Sequence, residues 1–331
     1  MSRAKNLANL IGGASAGTSG MALPSGTTAQ RPSSPSEGTI RNNTTINAVE
    51  VYNGTTWSAI GDQYASLNIE YLIVAGGGGG GGSAGDAWNG GGGGAGGLIT
   101  NVGSTFLIVP VGSYTITIGA GGAAGTSTAS NSGSATTQGV NGSNSSFFGL
   151  TAIGGGGGGA SGGYSTPGSK TTGLNGGSGG GGGVNFNSST PAGGSGTSGQ
   201  GTNGGSGATT GSGYGGGGGG AGGSGTSNVS LTAMGNAGRG SATASSILGS
   251  SNSYSQGGGT GVSSPIAAAN NTGNGGDSSV CPLNTYVASA SGGSGIIILR
   301  YAGAQRATGG TVNYSGGYTT HTFTSSGTFT L

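Results

Sequence analysis

Charged side chains are scarce in this sequence. Lys, Arg, Asp and Glu make up 4% of the 331 residues, against about a quarter in ordinary domains, and the formal net charge is +2. Eight basic residues are too few for a nucleic-acid-binding patch, so we expect no nucleic-acid partner. The low net charge also does not support the usual kind of disorder, which goes with charge repulsion. A near-neutral chain with exposed backbone instead favours self-association.

The residue types that most often carry catalysis or bind metals are also few. Cys281 is the only cysteine, which excludes an internal disulfide framework and a cysteine-rich metal site. His321 is the only histidine, so none is left for a zinc set, and a Ser-His-Asp triad would depend on that one residue. The acidic residues are widely spaced and lack the local signature of a glycosidase pair. The sequence predicts that the protein is not an enzyme and has no metal or cofactor.

Long apolar runs are missing as well. The longest, residues 106–110 and 296–299, fall far short of the roughly 20 residues that a membrane-spanning helix needs. The N-terminus has a basic start but an interrupted apolar part, so it is a poor secretion signal. We therefore expect no membrane span. A protein with this N-terminus that works outside a cell would be carried there on a particle released by lysis.

Glycine is abundant, at 89 of 331 residues. Five uninterrupted runs occur, at residues 76–82, 90–94, 154–159, 179–183 and 215–220. A flexible tether is the default interpretation of such runs, but a tether does not need the apolar, strand-like residues 71–75 that lead straight into the first one. Glycine does not recur at every third position, which excludes a collagen triple helix. We predict ordered, left-handed polyglycine helices of three residues per turn, packed backbone to backbone and held by main-chain hydrogen bonds.

Composition shifts divide the chain into five segments. Residues 1–13 are predicted to be an N-terminal anchoring helix, capped by Ser2, with Leu7, Leu10 and Ile11 on one face. A helix this short is not stable alone, so its apolar face should dock on a partner protein. The other segments are a Ser/Thr/Pro linker (14–37), a small β-hairpin module (38–62), a glycine-rich domain (67–301) and a C-terminal β-strand segment (302–331). In the hairpin module, Tyr52 and Trp57 are expected to supply most of the apolar burial.

Strand patterns in the glycine-rich domain predict an all-β fold. The candidates are residues 68–75, 97–101, 104–110, 113–119, 144–153 and 295–301. Tyr114, Ile116 and Ile118 alternate onto one face, and the continuous apolar residues 296–299 indicate a strand that is covered on both sides. We predict a small antiparallel β-sandwich from which the polyglycine helices grow as long insertions. Their connecting loops would form one exposed end, from residues 85–90, 161–175, 184–193 and 224–256.

The C-terminal residues 318–331 contain two Thr/Phe strand halves on either side of Gly327. A terminal strand of such high β propensity needs a partner strand. Two arrangements are open. The strand folds back within its own chain, with Phe323 and Phe329 in the core, or it is donated to a neighbouring subunit.

These motifs and their order resemble those of a known group of proteins. Residues 71–82, 90–98, 113–122, 146–159 and 292–301 resemble the glycine-rich domain of tail-fibre and other structural proteins of bacteriophages, especially of marine and cyanobacterial phages. Residues 23–57 are similar to a short repeat of the same virion proteins, and residues 2–13 to their attachment ends. The resemblance implies packed polyglycine helices. One feature departs from the pattern: a strand like residues 318–329 precedes the first glycine run in those proteins, whereas here it comes last.

Isolated aromatic and polar residues in the loops between glycine runs are candidate receptor contacts. They are Asp86, Trp88, Asn89, Tyr164, Phe186, Tyr214, Arg239 and Tyr254. Each could pack over a glycine backbone, or together they could stack on and hydrogen-bond to sugars or a surface protein, as the Tyr, Ser, Gly and Asn of antibody loops do. Arg239 could contact an anionic sugar or phosphate, although a lone arginine is more often solvated.

From this we expect a non-enzymatic virion protein, a fibre or adhesin subunit located on the extracellular particle. Its N-terminal helix would bind other virion proteins, and its glycine-rich head would contact a host surface glycan or protein. A homo-oligomer is expected, with a trimer favoured. The alternative is a self-assembling structural protein, a capsid decoration or filament subunit without a receptor. A small number of copies at tail positions would favour the fibre, and many copies in a shell or open array the alternative.

Overall fold

A computed structural model describes residues 23–60, 66–85, 88–129, 136–162, 170–186, 189–209, 215–227, 238–280 and 286–331. The predicted N-terminal helix, with Leu7, Leu10 and Ile11, lies outside these residues, as does Cys281. Within them the chain is nearly all β, as predicted, with several antiparallel sheets. No helix among them has the length and apolar content that crossing a bilayer requires.

The chain forms two compact units, which divide between Ser66 and Leu67. The strands of the first unit are β1 (Ser25–Gly26), β2 (Ile40–Asn43), β3 (Ala48–Tyr52) and β4 (Trp57–Ala59), with a 3-10 helix at Thr28–Gln30. Those that follow are β5 (Ser66–Val74), β6 (Leu98–Thr100), β7 (Leu107–Pro110), β8 (Ser113–Ile116), β9 (Ser145–Phe147), β10 (Leu150–Ala152), β11 (Thr243–Ser245), β12 (Asn252–Tyr254), β13 (Ile296–Ala302), β14 (Thr311–Ser315), β15 (Tyr318–Phe323) and β16 (Gly327–Thr330).

The first unit is a four-stranded sheet in the order β1-β2-β3-β4, in which β1 runs parallel to β2 and the other pairs are antiparallel. The strands predicted around residues 38–54 are β2 and β3. Strands β1 and β4 were not predicted, because two or three residues are too few to show an alternating pattern.

Polar side chains, not aromatic ones, are fully buried in this first unit. Glu50 is inaccessible to solvent and accepts hydrogen bonds from Arg31 Nη2 at 2.7 Å and from Asn43 Nδ2 at 2.9 Å. Arg31 lowers the pKa of the Glu50 carboxyl, against the opposing effect of burial. Tyr52 and Trp57 contact each other, with ring centroids 5.6 Å apart, but both remain partly exposed. No hydrophobic side chain in the described part of this unit is fully buried, so the expectation that these two rings supply most of its apolar burial stays a prediction.

The second unit is built on a six-stranded sheet in the order β14-β15-β13-β5-β6, with β7 also pairing with β5. In its centre, β13 runs antiparallel to both β5 and β15. Ile297 and Leu299 lie in one apolar cluster, and Ile296 and Ile298 in another. The prediction that residues 296–299 form a strand covered on both sides is therefore confirmed.

Smaller sheets cover the two faces of this central sheet. The β8–β16 pair and the β9–β10 hairpin contribute Ile116, Phe147 and Phe329 to the first cluster. The β11–β12 hairpin contributes Tyr254 to the second, and Ile247 lies between its strands. This hairpin lies within residues 224–256, which were predicted to be an exposed loop. That prediction is wrong for the hairpin, whose apolar side chains pack on the sheet.

The C-terminal strand is completed within its own chain. β15 pairs with β13 and β14, and β16 pairs with β8 in antiparallel register. Phe323 and Phe329 are 3% and 0% exposed. Of the two arrangements left open by the sequence, this chain has the fold-back.

The main-chain hydrogen bonds of residues 76–82 recur at every third residue. The amides donate in turn to the carbonyls of three segments, at N···O distances of 2.8–3.1 Å. The amides of residues 76, 79 and 82 donate to residues 143, 140 and 137. The amides of 77 and 80 donate to 293 and 290, and those of 78 and 81 to 94 and 91. The carbonyls accept from the amides of three further segments. The carbonyls of residues 76, 79 and 82 accept from residues 155, 158 and 161, those of 77 and 80 from 122 and 125, and that of 78 from 276. The whole run is buried. It is an ordered segment with six hydrogen-bonded neighbours, and the flexible-tether interpretation is excluded.

His321, the only histidine of the chain, joins a buried polar network in the first cluster. The amide of Arg306 donates to the Tyr301 hydroxyl at 2.9 Å, and His321 Nδ1 lies 2.7 Å from the Gly309 carbonyl. A carbonyl can only accept, so Nδ1 carries the proton. The Tyr301 hydroxyl already accepts from the amides of Arg306 and Ala307, so it donates its own proton to Nε2 at 3.1 Å. A neutral imidazole therefore holds the loop before β14 against β13. Burial lowers the pKa of His321, although the Gly309 carbonyl opposes this.

Acidification should destabilise the second unit through this histidine. Because its pKa is depressed in the fold, the unfolded chain binds a proton below about pH 6.5 that the folded chain does not, and stability falls as the pH falls. We expect the melting temperature to decrease between about pH 7.5 and 5.5, measured by circular dichroism. The variant His321→Gln should lose this slope, whatever its absolute stability. A flat profile for the unmodified chain would contradict the assignment.

Candidate functional site

A layer of buried serine hydroxyls lies where the glycine segments end, on the side away from the central sheet. The connecting loops begin there, and we call this part of the second unit the far end. The Oγ atoms of Ser127, Ser279 and Ser289 form a triangle with sides of 3.3, 3.4 and 3.3 Å. Ser83 Oγ donates to the Ser279 carbonyl at 2.7 Å and accepts from the Gly90 amide at 2.9 Å. The hydroxyls bond to one another and to main-chain groups where the glycine runs stop, so they fix the segments that lead into the loops.

Two predicted contact residues meet at the far end. Trp88 and Phe186 are partly exposed, with ring centroids 4.4 Å apart and planes tilted by 41°. Trp88 pairs with Ala84 in an antiparallel bridge, and the amide of Val184 donates to the Asn89 carbonyl at 2.9 Å. Trp88 and Phe186 are 98 residues apart in sequence and lie at the ends of two different glycine segments, but they form one aromatic surface. No sequence pattern indicated this pairing.

Asn89 is not an exposed contact residue, contrary to prediction. It is completely buried, and neither its Oδ1 nor its Nδ2 has a hydrogen-bond partner. It stands directly before the run of residues 90–94, whose backbone is packed on all sides, so its side chain is enclosed as well. Buried polar atoms without partners are costly, on the order of 1–3 kcal/mol each.

Tyr254 is also wrongly predicted as a receptor contact. It is the last residue of β12, is 5% exposed and packs in the second apolar cluster under the central sheet. Burial raises the pKa of its phenol. Its neighbours in sequence are Ser and Asn, which concealed the strand and therefore the burial.

Arg239 is paired, not solvated. Its Nη2 donates to both carboxylate oxygens of Asp277, at 2.8 and 2.6 Å, and Asp277 Oδ1 also accepts from the Gly259 amide at 2.8 Å. Burial raises the pKa of the Asp277 carboxyl, and the Gly259 amide and Arg239 oppose this effect. The two residues line a cleft of about 350 Å³, together with Gln256, Val262, Ile266 and Asn274. Sequence reasoning missed the pairing, although these are the only charged residues between positions 171 and 299.

The remaining predicted site residues lie outside the described part of the chain. They are the candidate contacts Asp86, Tyr164 and Tyr214 and the anchoring residues Leu7, Leu10 and Ile11. Among the described residues, no group of three or more His, Cys, Asp or Glu side chains is placed to hold a metal ion.

Comparison with known proteins identifies the family. None of the curated proteins matches the sequence. A family model described as a glycine-rich domain matches residues 51–302. The match covers about three quarters of the chain, from β3 of the first unit to the end of β13. The chain therefore belongs to the glycine-rich domain family.

Proposed function

We propose that this chain is a non-enzymatic virion protein, a fibre or adhesin subunit whose far end contacts a host surface. The resemblance of three successive segments to bacteriophage structural proteins supports the virion assignment. The observation that carries the contact role is the six-sided hydrogen bonding of residues 76–82, which makes the glycine-rich body an ordered support for the loops.

The glycine runs act in this proposal as left-handed helices of three residues per turn. A repeat of three in the hydrogen bonds, with neighbours on six sides, supports this conformation because each turn then presents three amides to three neighbours and three carbonyls to three others. The side chains of Asn141 and Asn144 replace main-chain partners at the edge of the body, where their Oδ1 atoms accept from Gly157 and Gly154 at 2.8 Å. The glycine residues of such a body have no side-chain rotamers to order, and the main-chain bonds on six sides make it stiff.

A stiff support suits loops that bind, because ordering them on contact then costs little entropy. Trp88 and Phe186 form the described part of the proposed contact surface. Their tilted rings supply apolar area with few rotatable bonds, which is suited to stacking on the ring of a sugar or on a surface protein. The attachment of residues 1–13 to other virion proteins, a location on the virion and a homo-oligomeric assembly belong to the same proposal.

Removing either ring should weaken binding to host cells. The fluorescently labelled full-length chain is titrated onto intact cyanobacterial cells from a panel of strains, and bound protein is measured by flow cytometry. For Trp88→Ala and for Phe186→Ala we expect at least about ten-fold weaker binding, because aromatic residues at the centre of an interface carry much of its energy.

The matched control is Phe106→Ala, which removes an equivalent ring that is 51% exposed between β6 and β7, away from the far end. It should bind like the unmodified chain. Equal binding by all three variants would contradict the contact surface. If the unmodified chain bound no strain but formed shells or filaments in electron micrographs, the self-assembling structural protein would replace the adhesin.

A further inference from the structure

The edge strand β14 is unusually exposed. It is the outermost strand of the six-stranded sheet, and all of its residues except Val312 are exposed. The hairpin to β15 turns through Gly316 and Gly317, whose φ angles of 59° and 82° belong to a type I′ turn. Tyr314 beside it is 59% exposed. β14 is thus the outer strand of a tight hairpin, and no strand of the described chain pairs with its other edge.

The register of this hairpin shows which main-chain groups of β14 are unused by β15. In a two-residue hairpin, the pair that flanks the turn, here Ser315 and Tyr318, is hydrogen-bonded, and hydrogen-bonded pairs then alternate along the strands. Asn313 therefore bonds to Thr320. The amides and carbonyls of Val312 and Tyr314 point the other way, to the open edge.

The usual protection of an open edge is missing here. Natural edge strands are commonly blocked by a charged residue, a proline or a bulge. β14 reads Thr-Val-Asn-Tyr-Ser, pairs with β15 residue for residue, and is followed by two glycines. No residue from 307 to 331 is charged, and Arg300, which lines a cleft with Asn313 and Ser315, is paired with Glu70. A second copy of this edge could therefore approach without strong repulsion between like charges.

The strand is also complementary to itself. If two copies of β14 lie antiparallel with Asn313 on a two-fold axis, Thr311 meets Ser315 and Val312 meets Tyr314, each twice. The outward groups of Val312 and Tyr314 then face each other and can form four main-chain hydrogen bonds. Hydroxyl pairs and pairs of an aromatic with a β-branched residue are favourable cross-strand contacts.

We propose that β14 pairs with β14 of a second copy of this chain, joining the two central sheets into one through a two-fold contact at Asn313. The partner is another copy because β14 itself carries no charged residue that would attract a charged ligand. In the antiparallel pairing, each residue of one β14 also lies opposite a compatible residue of the other. This pairing is independent of the proposed host contact. It differs from the trimer favoured on sequence grounds, and the molar mass distinguishes the two.

Opposite charges at position 313 test the pairing. Asn313→Lys and Asn313→Glu each place like charges directly opposite at the axis, which is destabilising in a sheet. The molar mass of the full chain is measured by light scattering after size exclusion over a concentration series. We expect a dimer for the unmodified chain, at least about ten-fold weaker dimerisation for each variant, and a restored mixed dimer when the two variants are combined.

The control is Thr151→Lys, which adds the same charge at an exposed position of β10 and should leave the dimer intact. Melting curves establish that the variants at the exposed position 313 are folded. A monomer or a trimer at all concentrations, or a dimer that is insensitive to both charges at position 313, would overturn the proposal.

Discussion

Gly79→Ala should lower the melting temperature of the second unit by at least roughly 6–10 °C, or prevent its folding. A methyl group on Gly79 would overlap the carbonyl of Ala123, which belongs to a hydrogen-bonded neighbouring segment. That atom is main chain and cannot rotate away, unlike the end of a long side chain. We expect a cost of about 3 kcal/mol or more, at the upper end of the usual range for overpacking. The measurement is a thermal melt followed by circular dichroism.

The control for this substitution is Gly327→Ala. A methyl group on Gly327, in β16, meets no atom within 4 Å. It should change the melting temperature by no more than about 2 °C. Similar melting of Gly79→Ala and the unmodified chain would show that the packed glycine body is not what stabilises this unit.

Phe329→Ala should cost about 3–5 kcal/mol, as expected for an aromatic side chain removed from a packed core. Phe329 is fully buried and makes edge contacts with Phe147 and His321, with ring centroids 5.8 and 5.2 Å away. Phe329→Asp should be more damaging, because it also buries an unpaired charge. Urea unfolding of the two variants gives the change in the free energy of unfolding. Phe106→Ala, at an exposed ring, should change it by less than about 0.5 kcal/mol.

A disulfide tests directly that Phe329 is buried in its own chain. The hydroxyls of Ser113 and Thr330 lie 3.0 Å apart across β8 and β16. With cysteines at these two positions and Cys281→Ala, oxidation should yield monomers with an internal bridge. Disulfide-linked dimers in a mass spectrum would instead show that the strand is donated to a neighbour.

The strands that border the glycine runs could be predicted from the sequence because their signals are local. Residues 68–75 and 295–301 are apolar and β-branched, and they became β5 and β13 with small shifts at their ends. The alternation of Tyr114, Ile116 and Ile118 also held, since all three pack on the first apolar cluster. Residues 144–153 were predicted as one strand but form the β9–β10 hairpin. The turn at Phe148 and Gly149 has a positive φ at a bulky residue, which no turn rule anticipates.

A different signal was present but not used at the C-terminus. Gly316 and Gly317 separate two Thr- and Tyr-containing stretches by two residues, which is typical of a tight hairpin. β14 could therefore have been predicted along with β15. The polar burial of Glu50 had no such signal, because a carboxylate on an alternating strand is ordinarily assigned to the solvent face.

The sequence by itself determined that the described part of this chain is nearly all β and that two of its five glycine runs directly follow strands. Those properties depend on composition and on neighbours in the chain, which a sequence displays directly. Only the tertiary structure decided that Trp88 meets Phe186, that Arg239 is neutralised by Asp277, and that Tyr254 and Asn89 are buried. Because glycine has no side chain, the sequence of a glycine run does not indicate which other segments pack against it. The pairing of segments depends on main-chain hydrogen bonds between residues up to more than 200 positions apart.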